Sequence, residues 1–182
     1  LTLALTALGY PITNVAGYDF VEHLSKSHSF SYRQGINGPI WEIIALDTGG
    51  YQLYPDASNS DVNTVGKMID YILAQEIKQS NGGWALSGSI PDPDITGMAL
   101  QALAPYYLDS SRYQQTGATT SYQDFAQAVE RAIVVLSEIQ LPSGGYGSWG
   151  TSNAESIVQV IVALTAMNMN PLSTSITLPH IN

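Results

Sequence analysis

Apolar residues recur at helical spacing along most of the chain. The pattern predicts helices at Leu1–Leu8, Tyr18–Ser27, Pro39–Asp47, Ser60–Lys78, Pro93–Tyr107, Ser121–Gln140 and Asn153–Met167. In the sixth of these, Phe125, Val129, Ala132, Ile133 and Leu136 keep one apolar stripe, the mark of an amphipathic helix. Ser60 and Ser121 read as N-caps, with Asp61 and Asp124 in the first turns. A hydroxyl and a negative charge there satisfy free amides and oppose the helix dipole. Gly82-Gly83 and Gly144-Gly145 read as helix stops, because glycine takes positive φ without steric cost. Asn168 to Pro171 ends the last helix. No regular sheet is predicted.

The helices are of two kinds. Asp61–Gln79 and Ser121–Gln140 are amphipathic and carry charges, whereas Leu1–Leu8, Pro39–Leu46, Ile95–Leu103 and Ser156–Met167 are almost uncharged. A helix that is apolar all round has to be buried all round. Alternation of the two kinds predicts two layers, with Pro39–Leu46, Ile95–Leu103 and Ser156–Met167 side by side on the inside. Tyr18–Ser27, Ser60–Lys78 and Ser121–Gln140 belong outside.

The chain also repeats itself. Glu76-Ile77 followed by Gly82-Gly83-Trp84 matches Glu138-Ile139 followed by Gly144-Gly145-Tyr146, 62 residues on. Asp94 to Leu103 lies over Glu155 to Leu164 at a separation of 61, so the second loop is one residue shorter. Weaker copies lie upstream: Ala4 to Leu8 resembles Ala163 to Met167, and Ile40 to Leu46 resembles the run ending Ala102-Leu103. A unit of helix, Gly-Gly-aromatic turn, polar loop and helix, repeated every 40–60 residues or so, predicts a stacked or closed helical array.

The segment Gln140 to Tyr146 resembles the Gln-x-x-Asp-Gly-Gly-aromatic repeat of the terpenoid cyclase and protein prenyltransferase superfamily; Gln79 to Trp84 is a variant one residue shorter. Ala99 to Tyr106 and Ser148 to Ser156 look like the prenyltransferase/squalene-oxidase-repeat modules of bacterial cell-surface proteins. Those modules are similar to the helical domain of the transcobalamin and intrinsic factor family. The resemblance spans Leu1 to about Pro171. It implies an all-α fold, an α/α toroid of alternating inner and outer helices. A closed toroid has about six helix pairs, and seven helices are read here, so the expectation is a partial toroid over residues 1–171 with a tail or linker at 172–182. The position matching Glu155 would precede Leu1, which is no start methionine, so further sequence upstream is expected.

Composition narrows the function. With 6 Lys+Arg against 15 Asp+Glu the formal net charge is −9, which opposes binding to nucleic-acid phosphates or to anionic lipid surfaces. No apolar run approaches the ~20 residues of a membrane span. Cys is absent, which excludes disulfides, thiolate metal sites and cysteine nucleophiles. Few lysines among many Ser, Thr and Tyr residues suit a secreted or cell-surface bacterial protein.

Asp92-Pro-Asp94-Ile-Thr96 resembles the Asp-x-Asp-Asp-Thr motif of class II terpene cyclases, whose middle Asp protonates an alkene or epoxide. The resemblance casts Asp94 as a general acid, but Ile95 stands where the third Asp belongs. The other reading of Asp92 and Asp94 is as helix caps. Zinc is not expected: His23 and His28 are five residues apart, off the spacing that shares a helix face, and His180 lies in the tail. Asp56 to Asp61 lacks the glycine and closing acid of a calcium loop. No phosphate loop or nucleophile elbow occurs, and Ser148, Ser152 and Ser156 have no histidine nearby. No cofactor is expected.

The candidate binding residues are Asn37, Asp94 and Glu155, at equivalent positions of the inner helices, together with Asp92, Glu42, Trp84 and Trp149. Glu42 lies in an otherwise apolar helix and is aligned with Met98 and Gln159; a buried carboxylate is costly without a partner, so it is expected to face a cavity, a partner or solvent, the plainer reading being a rim-exposed or hydrogen-bonded structural Glu. Tyr54 and Trp149 are open between recognition and packing, while Trp84 and Tyr146 lean to packing at helix ends. The sequence thus points to a non-catalytic module binding a ligand or partner at the ends of the inner helices. A neutral or cationic ligand with apolar area fits these side chains, and the transcobalamin resemblance implies a corrinoid. An open arc would also self-associate through its edges. A cyclase-related enzyme with Asp94 as acid is the alternative.

Overall fold

The computed structural model describes residues 1–26, 28–56, 58–59, 61–147 and 150–172. Among them no strand forms; an isolated bridge joins Val15 to Tyr18. The helices are α1 (Thr2–Ala7), α2 (Phe20–Ser25), α3 (His28–Ser31), α4 (Asn37–Gly49), α5 (Val65–Ala74), α6 (Pro93–Tyr107), α7 (Ser110–Gln115), α8 (Tyr122–Glu138) and α9 (Ala154–Ala166). None of the described helices is long and apolar enough to cross a membrane.

Side-chain caps set most of the starts. Asp19, Thr64, Asp92, Asp109, Ser121 and Asn153 each accept a backbone N–H in the first turn of the helix they precede. Each such cap is worth about 1 kcal/mol. The cap at Ser121 agrees with the sequence reading. The helix predicted from Ser60 starts instead at Val65, because Thr64 is extended (φ −143°) and its hydroxyl accepts from Lys67 N; Ser60 itself lies outside the described residues. That helix stops at Ala74, short of Lys78. Helix α7 was not predicted: it is 6 residues long, too short to show an apolar period.

The apolar helices are consecutive neighbours. α1 packs on α4, α4 on α6, and α6 on α9, while α5 packs against α4 and α8 against α6. The core lies between these sets, with Ile40 and Ile43 of α4, Ile69 and Ile72 of α5, Leu100 and Leu103 of α6, and Phe125, Val129 and Ile133 of α8, all fully buried. Burial of each such side chain is worth about 1.5–3 kcal/mol. α8 directs Phe125, Val129, Ala132, Ile133 and Leu136 inward, the stripe read in the sequence.

Candidate binding site

The two Gly-Gly-aromatic turns share a closing hydrogen bond, Ile77 N to Gly83 O at 3.0 Å and Leu141 N to Gly145 O at 2.9 Å, although both glycines have positive φ only in the first. Gly82 and Gly83 have φ of +119° and +74°. A Cβ on Gly83 would lie 3.0 Å from Pro91 Cβ and 3.1 Å from Thr96 Oγ1, so a side chain is excluded by space as well as by backbone angle. Trp84 then drops into the core, fully buried, and its indole N–H donates to Ile72 O at 2.7 Å. Thr96 clamps it, accepting from Trp84 N and donating to Trp84 O. In both copies the aromatic residue's carbonyl accepts the amide of the next helix's N-cap: Asp92 N to Trp84 O at 2.9 Å and Asn153 N to Tyr146 O at 3.0 Å. Trp84 therefore has no surface to offer a ligand and serves as packing. Trp149 lies outside the described residues.

Asp92 is the N-cap of α6, accepting from Asp94 N and Ile95 N at 3.0 Å each. Its repeat equivalent is Asn153, the N-cap of α9. An uncharged amide does the same work there, so capping explains Asp92. Asp94 stands in the first turn of α6. Burial pushes its carboxyl above the usual range, against the Ser156 hydroxyl, and Asp92 and Glu155 push it further. One Asp94 carboxylate oxygen and Ser156 Oγ are buried without a hydrogen bond, as is the amide oxygen of Asn37 at the start of α4. Glu155 is exposed at the start of α9. Asp94 and Glu155 thus share one region, with Asn37 at the matching turn of α4. Ile95 is buried in the core and supplies no support to an acid.

Glu42 is elsewhere. It is 5% exposed, and its Oε1 accepts from Asn63 Nδ2 at 2.8 Å. Asn63 is itself fully buried. Burial raises the Glu42 carboxyl, while hydrogen bonds from Ser31 and Asn63 lower it. No cavity is needed to explain the group: it ties α4 to the segment before α5. The alignment of Glu42 with Met98 and Gln159 is corrected by burial, since both of those are half-exposed. Matching Ala45, Ala102 and Ala163 puts Glu42 with Ala99 and Val160, which are 0% and 1% exposed.

In that register three further sets line up. Asn37, Asp94 and Glu155 remain equivalent. Ile40, Gly97 and Val158 form a second set, and Ile43, Leu100 and Ile161 a third. On α4 and α6 these last two sets are buried. Gly97 marks the contact: a Cβ there would lie 3.1 Å from Gln159 on α9. On α9 the same positions are bare, with Val158 56% and Ile161 44% exposed, beside Val162 at 36%. The sequence reading passed over these two residues, although the repeat register contained the signal.

Among the described residues no group of three or more His, Asp or Glu side chains is placed to hold a metal ion. Asp56 accepts from Ser58 within the loop and Asp61 from Ser29 of α3, so both acids have protein partners. No family model matches the sequence, and no curated protein or solved structure matches it either.

Proposed function

We propose that this chain is a non-catalytic binding module, a partial α/α toroid of a secreted or cell-surface protein, whose exposed α9 side receives a partner. The observation carrying this reading is the exposure of Val158 and Ile161 at positions that α4 and α6 bury. Val158, Ile161 and Val162 are spaced to share one face of α9, and grouped exposed apolar side chains mark an interaction site. A second copy is the partner of choice. Its α1, whose Ala4–Leu8 stretch resembles Ala163–Met167, has the apolar character of the helices that pack as neighbours of α4 and α6. Multi-angle light scattering over a concentration series tests this. The mass should rise with concentration in the parent chain and stay monomeric in Val158→Glu/Ile161→Glu. A monomeric parent at every concentration removes self-association.

Asn37, Asp94 and Glu155 supply acceptors for a neutral or cationic small ligand at the helix starts, and the resemblance to the transcobalamin helical domain makes a corrinoid the ligand to try. Titration of cyanocobalamin and cobinamide, followed by absorbance, decides it: micromolar binding weakened by Asp94→Ala supports the reading, and its absence removes corrinoids.

The cyclase reading draws on one observation, the raised Asp94 carboxyl, since a catalytic acid has to be held protonated. Assay with isoprenoid alkenes and epoxides, comparing Asp94→Asn, tests it; turnover abolished by that substitution would displace the binding module.

A further inference from the structure

A third Gly-Gly-aromatic turn, Gly49-Gly50-Tyr51, ends α4, and it behaves differently from the other two. Gly50 is left-handed (φ +64°, ψ +28°) and Tyr51 N donates back to Leu46 O at 2.9 Å. The Tyr51 ring lies across Gly49, where a Cβ would come within 2.0 Å of it. Trp84 and Tyr146 are buried by their turns, but Tyr51 stays half-exposed, and Tyr54, three residues on, is 41% exposed. Both tyrosines line a cleft of about 660 Å³ at the C-terminal end of α4, closed on its other side by Tyr106 of α6 and Arg112 of α7. That volume falls within the ordinary range of ligand sites, about 300–1,000 Å³.

Two polar groups of the cleft, those of Tyr106 and Arg112, meet at Asp47. Its Oδ1 accepts from Tyr106 Oη at 3.0 Å and from the Arg112 guanidinium at 2.6 Å. The guanidinium stacks over the Tyr106 ring, 4.8 Å from its centroid, and its side chain is 42% exposed. Asp47 Oδ2 is buried and has no hydrogen bond. The Asp47 side chain as a whole is 20% exposed. The cleft is also lined by exposed Gln52 and Gln115, which offer both donors and acceptors.

The charges restrict what fits. The cleft's one guanidinium is already neutralised by Asp47, Asp109 lines the same wall, and the chain carries −9. Phosphates and other anions are repelled. A ligand suited to this site is uncharged, donates hydroxyls to a carboxylate, and has apolar C–H faces to lay on tyrosine rings.

We propose that this cleft binds a neutral saccharide, with Asp47 and Arg112 holding ring hydroxyls and Tyr51 and Tyr54 stacking on the sugar face. This site is separate from α9 and from the helix starts, and stands or falls independently of them.

The test uses the full chain with cello-, xylo-, manno- and maltohexaose, followed by saturation-transfer NMR and calorimetry. At least one should bind with a Kd of about 1 mM or tighter, as sugar–tyrosine stacking and a few hydrogen bonds would supply. Tyr54→Ala, whose ring is at the surface, should weaken binding at least tenfold with unchanged circular dichroism. Asp47→Asn keeps the shape and should also weaken it. Val158→Glu/Ile161→Glu should leave it unchanged. Failure of all four oligosaccharides to bind a folded protein overturns the proposal. So does binding that survives Tyr54→Ala, or a neutral hexapeptide that displaces the saccharide signal by occupying the cleft more tightly.

Discussion

At the scale of single residues, burial separates chemistry from architecture. Glu42 drew attention as a carboxylate in an apolar helix, and the structure gives it a partner in Asn63. Removal of one member of a buried pair strands the other. Glu42→Ala should therefore cost about 2 kcal/mol, as Asn63 Nδ2 loses its acceptor, measurable by urea unfolding. Glu42→Gln keeps an acceptor and should stay close to the parent at acid pH, where the carboxyl is protonated. Acidity sharpens the distinction. Burial raises the Glu42 carboxyl above its ordinary 4.5, so the folded state holds the proton more tightly than the unfolded one. The resulting stability is full below that ordinary value and is lost as pH rises through the raised one. The parent should lose stability relative to Glu42→Gln as pH rises above the ordinary value of 4.5. A parent that gains on Glu42→Gln over that range would show the carboxylate to be stabilised as an anion. The sequence made Glu42 conspicuous because charge in an apolar run is visible by itself. It could not show Asn63, 21 residues away and coming from a loop, as the partner.

At the scale of elements, short-range rules were legible and long-range ones were not. The starts of α6, α8 and α9 follow from Asp92, Ser121 and Asn153 immediately before apolar runs. The Gly-Gly pairs do not stop the helices as read: α5 ends at Ala74 and α8 at Glu138, with Gln75 and Ile139 at the C-caps, and the glycines turn the loops beyond them. The start of α5 was misplaced because Ser60 and Thr64 are both good caps, and only packing chooses between them. The repeat makes a prediction about capping itself. Asp92 and Asn153 occupy one structural position with different charge, so charge is dispensable there. Asp92→Ala should lower stability by about 1 kcal/mol, or a melting temperature shift of roughly 2–4 °C for a chain of this size. Asp92→Asn should restore most of it. If Asp92→Asn melts as early as Asp92→Ala, the carboxylate is doing something other than capping, and the acid reading of the motif regains support.

At the scale of the whole molecule, the repeat becomes a statement about which faces are finished. The composition and two helix kinds foretold an all-helical chain with its uncharged helices as neighbours. They did not foretell which side of each helix would be covered, because that depends on what stands next in the row. The pair Leu100 and Ile161 isolates the point: equivalent in sequence, one is fully buried and the other 44% exposed. Leu100→Ala should cost about 2–5 kcal/mol, the usual range for emptying a packed site. Ile161→Ala should fall within about 0.5 kcal/mol of the parent in dilute solution, as surface changes do. Concentration then adds a second axis. If a further copy covers α9, the associated form binds the folded chain alone, so the parent's apparent stability should climb with protein concentration. Ile161→Ala, with less apolar area to bury, should climb less, and Leu100→Ala should keep the parent's slope from a lower starting point. Thermal melts at several concentrations read all three. Parallel, concentration-independent curves would leave α9 an ordinary exposed face and withdraw the second copy as its partner.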